Sequence, residues 1–479
     1  MVEYTFNNNS VSAGLELDTN FIQISNLQLI PCTASGSSTI DLTQTGVGAA
    51  VETLSDGMTF IFAVSQTNPG ATQLNPMNIG SFQIYKGTPN GNTPLVGGEL
   101  TQGNIALCTY SSKLSGGAGG FYLINPTFST RKTSYLFACG ANDKGQLGTG
   151  NTTYYSSPIQ IGNVTPWTCL GAAYNSSFGI TSGQLFAWGQ NNYGQLGIGN
   201  TTNYSSPVQV GSSSTWTYVV GGNGFSLGIN NGFLFAWGYN PYGQLGTGDI
   251  TNRSSPVQIG SSGTWTTAAC GLGHSLAINN GFLFAWGANT FGQLGTGNTT
   301  SHSSPVQVGA SNGWTVVACG STFSFGINGG RLFAWGNNLY GDLGNGSTVS
   351  VSSPVQIGSS TTWRTVSGSI LGNFALGVNN GILFSWGQNN YGQLGIGTLV
   401  NHSSPVQVGT SQAWTAVAAG GNCALAISGS ALFAWGANTF GQLGTGNTKS
   451  YSSPVQVGTA STWNIITGAG NDFTLGFGT

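Results

Sequence analysis

Residues suited to catalysis are sparse in this chain of 479 residues. Three histidines, His274, His302 and His402, accompany eleven acidic residues scattered along the whole length. A Ser-His-Asp relay or a pair of facing carboxylates needs its members at one place, and no spacing here argues for either. Seven cysteines (Cys32, Cys108, Cys139, Cys169, Cys270, Cys319, Cys423) include no Cys-x-x-Cys pair, and their number is odd. They are read as small buried apolar residues or spare thiols, with no metal site expected. The Gly-Gln-Leu-Gly segments lack the Lys-Ser/Thr of a phosphate-binding loop and are read as turns. Neither enzymatic activity nor a cofactor is expected.

Two series of residues suit recognition better. The residue before each Ser-Ser-Pro is Tyr155, Tyr204, Arg253, His302, Val351, His402 and Tyr451, with Asn203, Asn252 and Asn401 beside three of them. Its surroundings scarcely change between copies, so packing does not dictate its identity. Tyr, His, Arg and Asn offer flat apolar area plus hydrogen bonds, which suits glycans or protein surfaces; a freely drifting solvated loop is the alternative. The second series precedes Gly-Gln-Leu-Gly or its Gly-Asp-Leu-Gly variant: Lys144, Tyr193, Tyr242, Phe291, Tyr340, Tyr391 and Phe440. Its rings are regular enough to stack on sugars, or they fold over the ends of the elements that carry them.

Composition narrows the partners. Charged residues make up 4% of the chain, against about 25% in an ordinary soluble domain. Nine basic against eleven acidic residues cannot supply the clustered cations that nucleic acid requires. With 79 glycines a long helical bundle is excluded, while 39% hydrophobic residues argue against disorder. No apolar window reaches the length of a membrane-spanning helix, and the opening Met1-Val2-Glu3-Tyr4-Thr5-Phe6-Asn7 does not read as a signal peptide. Neither nucleic-acid binding nor membrane insertion is expected.

The elements that position both series come from a repeat. One Trp position runs Cys139, Trp188, Trp237, Trp286, Trp335, Trp386, Trp435, at intervals of 49 except for a single 51. A second runs Trp167, Trp216, Trp265, Trp314, Trp363, Trp414, Trp463, always 28 residues later, and the two series account for all 13 tryptophans. In the third copy, Phe225–Ile229 and Leu234–Trp237 flank the turn Asn230-Asn231-Gly232, whose Asn-Gly favours a tight hairpin. Pro256–Ile259 and Trp265–Ala269 complete four strands. Alternation in Leu234-Phe235-Ala236-Trp237 leaves both sheet faces apolar, so each needs a neighbour stacked on it. The chain stops on a hairpin strand, Phe473–Phe477, that lacks a partner, and the first copy opens on the complementary strand, Tyr135–Gly140. Pairing them closes a ring and removes two open edges. An all-β fold is expected, with a seven-bladed β-propeller of four-stranded blades over 134–479.

The segment from Trp237-Gly238 through Gly243-Gln244-Leu245-Gly246-Thr247-Gly248-Asp249, with Pro256-Val257 and Gly271-Leu272-Gly273-His274-Ser275-Leu276, resembles the repeat of the regulator of chromosome condensation family. The resemblance spans 135–479 and implies the seven-bladed fold. It also implies a structural place for His274 near a blade core, and for the aromatic second series a position over the blade end. The best-known member of that family is an exchange factor for a small GTPase that also docks on chromatin; other members are binding platforms. The exchange role resides in loops and a projecting hairpin that interrupt the repeats, and the intervals here leave no room for such a wedge. The propeller's five basic and four acidic residues give little support for attachment to chromatin.

Residues 1–133 contain no Trp and read as a smaller all-β domain, with strands at Asn20–Ile24 and Met58–Phe62 and an extended N-terminal arm. The stretches Gly46–Ala50, Asp56–Phe62, Thr67–Asn75, Leu100–Ile105 and Gly120–Pro126 resemble a module of bacteriophage tail-fibre and other virion proteins, departing from it at Pro69 and Pro76. That resemblance implies attachment to other virion proteins through 1–133, assembly in the host cytoplasm and release in the particle. The expected function is a virion structural protein, tail-fibre or spike-like, whose propeller meets a host-surface glycan or protein. A capsid or tail decoration protein without a receptor is the alternative, and a cellular exchange-factor-like regulator a third. A trimer is conceivable, although no coiled-coil heptads appear to enforce one.

Overall fold

In the computed structural model, two compact units comprise Met1–Lys132 and Thr133–Thr479. The described residues are the backbone of eight strands in the first unit, and 135–162, 167–459, 463–468 and 472–478 in the second. The eight strands are β1 (Leu29–Ser35), β2 (Thr39–Gln44), β3 (Thr59–Ala63), β4 (Gln73–Pro76), β5 (Phe82–Thr88), β6 (Gly91–Pro94), β7 (Ile105–Ser111) and β8 (Gly120–Phe128). They form one mixed sheet in the order β4-β2-β1-β3-β7-β8-β5-β6, and an additional pairing of β4 with β5 curls it back on itself. The expected strand at Met58–Phe62 corresponds to β3; Asn20–Ile24, the arm and Gly46–Ala50 lie outside the described residues.

The second unit is a propeller of seven four-stranded antiparallel blades. Blades I to VI begin at Trp167, Trp216, Trp265, Trp314, Trp363 and Trp414. In blade II the strands are Trp216–Gly221, Phe225–Asn230, Phe233–Gly238 and Arg253–Gln258. The hairpin between its second and third strands turns on Asn231 (φ 49°) and Gly232 (φ 80°). Positive φ at both central residues defines the type I′ turn that Asn-Gly favours, and its twist matches that of the flanking strands. Pro256 is tolerated because its strand is outermost, where a missing N–H disrupts no further ladder. That strand begins three residues earlier than expected, because a bulge at Ala236/Gly238 brings Arg253 opposite Gly238.

The first strands of neighbouring blades touch in a closed circle around the axis. They line a channel whose cavity measures about 200 Å³, walled by Val220, Ala268, Ala269, Val317, Ala318 and Val417 among others. Between blades, the core is a succession of apolar layers. One layer joins Leu227, Leu234 and Ala236 of blade II to Trp265, Ala277 and Trp286 of blade III. The two tryptophan series meet inside it, with Trp265 edge-on to Trp286 at 6.4 Å and to Phe284 at 5.5 Å. This is the mutual cover that two apolar sheet faces demand.

Blade VII is assembled from both ends of the array. Its order runs Tyr155–Ile161, Tyr135–Gly140, Phe473–Gly478, Trp463–Gly468. Phe477 lies opposite Leu136, Leu475 opposite Ala138 and Phe473 opposite Gly140. Phe473, Leu475 and Leu136 are buried in one cluster with Trp167 and Trp188 of blade I. Cys139 stands where the six other blades carry Trp, and a cavity of about 20 Å³ remains beside it. Ending the chain before Phe473 removes a central strand and three buried apolar side chains, Phe473, Leu475 and Phe477. The melting temperature followed by circular dichroism is expected to fall by about 10 °C or more, because the whole ring shares that closure.

Candidate functional site

The longest connections in each blade join its third strand to its fourth, and both residue series lie on them or at their ends. A buried asparagine organises each connection. In blade II, Asn240 Oδ1 accepts from Leu245 N at 2.9 Å, while Asn240 Nδ2 donates to Asp249 O and Thr251 O, both at 3.1 Å. Asn142, Asn191, Asn289, Asn338, Asn389 and Asn438 accept from the leucine five residues on in the same way. Only a planar amide presents an acceptor and two donors on so short a stem.

The connection then clasps the next blade. Gln244 Oε1 accepts from Tyr242 N at 2.9 Å, which leaves the Gln244 carbonyl facing blade III. There it accepts from the Ser275 hydroxyl and the Trp286 indole, both at 2.8 Å. Six such indole bonds recur, from Trp188, Trp237, Trp286, Trp335, Trp386 and Trp435. Gly246 lies against the same indole: at φ +75°, a Cβ there would come within 2.8 Å of Trp286 Nε1. At the seventh junction Cys139 stands in the tryptophan's place, with Sγ 3.6 Å from Gln442 O, and Thr474 in the serine's place donates its hydroxyl to the same carbonyl at 2.9 Å.

The second series lies in the open. Tyr193, Tyr242, Phe291, Tyr391 and Phe440 are exposed, from 37% for Phe440 to 55% for Tyr242; Tyr340 and Lys144 are half-buried. Tyr193 leans on Gly224 and Tyr242 on Gly273 of the following blade, each glycine leaving the space a Cβ would take. Other exposed apolar residues share these connections: Tyr154, Ile250, Leu339, Val349, Leu399 and Val400. Among the described residues only Val355, on an outer strand, breaks the pattern. Strand direction alternates within a blade, so every third-to-fourth connection emerges at the same end of its sheet. One face of the propeller therefore carries nearly all the exposed large apolar side chains among the described residues.

The first series sits differently from the freely exposed loop ring expected of it. Tyr155, Tyr204, Arg253, His302, Val351, His402 and Tyr451 open the outermost strands and are half-buried. Tyr155, Tyr204, Val351 and Tyr451 pack against core clusters. Several also bond four residues back: Asn151 Nδ2 donates to Tyr155 Oη at 3.2 Å, Asn447 Nδ2 to Tyr451 Oη at 3.3 Å, and Arg253 pairs with Asp249. Asn203, Asn252 and Asn401 accept from the backbone N–H of the organising asparagines Asn191, Asn240 and Asn389. Their amide oxygens thus brace the connection.

Two titratable groups are fully buried between blades. The Ser324 hydroxyl donates to Gln293 O at 2.7 Å, so at its 3.0 Å contact with His274 Nε2 it must accept. His274 therefore carries its proton on Nε2, and Nδ1 has no hydrogen-bond partner. Desolvation lowers the His274 pKa to about 3 and keeps the ring neutral. Asp342 occupies the position held by glutamine in the other six copies, with Oδ1 unpartnered, and desolvation raises its pKa to about 7. Burial likewise raises the thiols of Cys139 (to about 11), Cys270, Cys319 and Cys423. No three His, Cys, Asp or Glu side chains converge to hold a metal among the described residues.

Fold and face together define a β-propeller with one weakly charged face that carries most of its exposed large apolar side chains. The regulator of chromosome condensation (RCC1) repeat matches seven times, at residues 135–178, 182–229, 231–278, 280–327, 329–370, 380–427 and 430–477, and the chain belongs to that family. Among solved structures it is similar to human WBSCR16, at 21% identity and a TM-score of 0.64, over 72% of this chain and 99% of that one. It is equally similar to yeast RCC1 (Prp20) bound to Kap60, at 19% identity and TM-score 0.64, over 72% and 89%. Prp20p of Saccharomyces cerevisiae, described with its binding to Gsp1p and histones, matches at 18% identity and 0.64, over 73% and 92%. These likenesses concern the fold. Comparison with curated protein sequences finds no match.

The two buried groups respond to pH in opposite senses. A carboxyl raised in the folded state penalises folding above its unfolded value of about 3.8, fully so above pH 7. Asp342→Gln is expected to stabilise by about 1–3 kcal/mol at pH 8, with the gain vanishing near pH 4, in denaturant titrations. A histidine lowered in the folded state instead penalises folding below about pH 6.5, increasingly down to pH 3. His274→Phe, which restores the residue found at Phe225, Phe323 and Phe374, is expected to reduce the stability lost between pH 7 and pH 4 by about 1–3 kcal/mol.

Proposed function

We propose that this chain is a non-catalytic recognition protein of a bacteriophage particle, tail-fibre or spike-like, whose propeller contacts the host surface. The observation that carries this reading is the concentration of exposed apolar side chains on the third-to-fourth connections of the blades. A face of that kind on a protein otherwise rich in Ser, Thr, Asn and Gly is a site of association. The near absence of charge favours a partner read by shape and hydrogen bonds, with little dependence on salt. Placement on a virion is supported by the tail-fibre-like stretches of the first 133 residues. Particles whose copy of the chain lacks 134–479 are expected to lose adsorption to host cells. Unchanged adsorption would refute host recognition; if the face were then found packed against virion neighbours, the decoration role would replace it.

A second reading draws on the repeat family and the likeness to Prp20p: a regulator acting on a small GTPase. Against it stand the regular connections and the low charge of the propeller. Accelerated nucleotide release from a small GTPase would establish this reading.

A further inference from the structure

One sector of the exposed face departs from the repeat. The residue after the Trp-Gly pair is Ala141 after Cys139-Gly140, then Gln190, Ala288, Asn337, Gln388 and Ala437; in blade II alone it is Tyr239. Three copies fold with alanine there, so the propeller does not require a ring. Tyr239 meets Tyr193 of blade I with ring centroids 4.4 Å apart and planes inclined at 40°. Beneath them lies Gly224, where a Cβ would come within 3.2 Å of the Tyr193 ring and 3.5 Å of Tyr239 Cβ. Tyr242, the most exposed member of the aromatic series, follows in the same connection. Pro241 stands between the two tyrosines, again in this copy alone. Its fixed φ restricts the segment before any ligand arrives.

The surrounding polar groups are amides. Asn192 is exposed beside Tyr193, and Asn223 is half-buried next to Gly224. No Asp, Glu, Lys, Arg or His occurs anywhere between Lys144 and Asp249. The nearest flanking charges are already paired, Lys144 with Asp143 and Arg253 with Asp249. A charged ligand would find no counter-ion here. Rigid, half-exposed aromatic faces with amides at their margin match a sugar ring, which presents C–H groups on one face and hydroxyls around its edge.

We infer that Tyr193 and Tyr239 form a binding subsite for a sugar ring of an uncharged glycan. The subsite rests on the recognition function proposed above and specifies its chemistry. The purified full chain is titrated calorimetrically with neutral polymers (dextran, mannan, galactan and oligomers of N-acetylglucosamine) and with the acidic polymer alginate. At least one neutral polymer is expected to bind, with affinity unchanged from low to high salt. Tyr239→Ala, a residue the fold accepts in three other copies, is expected to weaken that binding about tenfold or more. Val355→Ala, on an outer strand away from that face, is expected to leave it within about twofold. The subsite is refuted if no neutral polymer binds, if only alginate binds, or if Tyr239→Ala binds as tightly as the parent chain. Particles bearing Tyr239→Ala that adsorb normally would refute the subsite and leave host recognition standing, whereas normal adsorption without 134–479 would refute recognition itself.

Discussion

Everything in the propeller depends on one carbonyl per blade. The backbone oxygen of Gln244, and of its counterpart in five other blades, accepts the buried indole N–H of the next blade and in several blades a serine hydroxyl as well. A buried indole N–H without a partner would be costly, so the bond fixes where the next blade must stand. The glutamine side chain and the organising asparagine hold that carbonyl in place by satisfying the connection's own backbone groups. The connection is thus a rigid clasp, and the aromatic residues it carries are presented on a fixed support. Rigid presentation lowers the entropy lost on binding.

Blade count, ring closure and the type I′ hairpins were legible in the sequence, because each follows from period, alternation and turn chemistry that repeat many times. Tyr135–Gly140 and Phe473–Gly478 could be matched because each lacked a partner nearby. The third-to-fourth connections were harder. Asn240 recurs in every copy and Gln244 in all but the one with Asp342, yet a bond from one blade's indole to another's carbonyl has no signature in local spacing. The same limit explains Arg253 and its counterparts. Their variation reads as freedom, whereas the bulge at Gly238 places them on a strand, and partners four residues earlier change with them: Asn151 with Tyr155, Asp249 with Arg253.

Departures from the repeat divide into those the fold absorbs and those it does not need. Cys139 and Thr474 together stand in for a Trp and a Ser at the seventh junction, so that substitution belongs to closure. Asp342 and His274 place ionisable groups where other copies carry glutamine, phenylalanine and other residues, and each is held neutral or nearly so by burial. Tyr239 and Pro241 are of another kind: three copies fold with alanine at the position of Tyr239, and both residues lie on the exposed face beside the half-open Tyr193.

The composite seventh blade also sets an order of events during biosynthesis. Ribosomes deliver Tyr135–Gly140 before blades I to VI and its hairpin partner after them, so six finished blades must wait with an unsealed apolar seam. Over that interval Leu136 and Ala138 border an unpaired strand edge, a template for self-association. Alternating serine, threonine and asparagine over so much of the nascent surface, with few hydrophobic side chains outside one face, would keep such a half-built ring apart from its siblings until the final strand slides in.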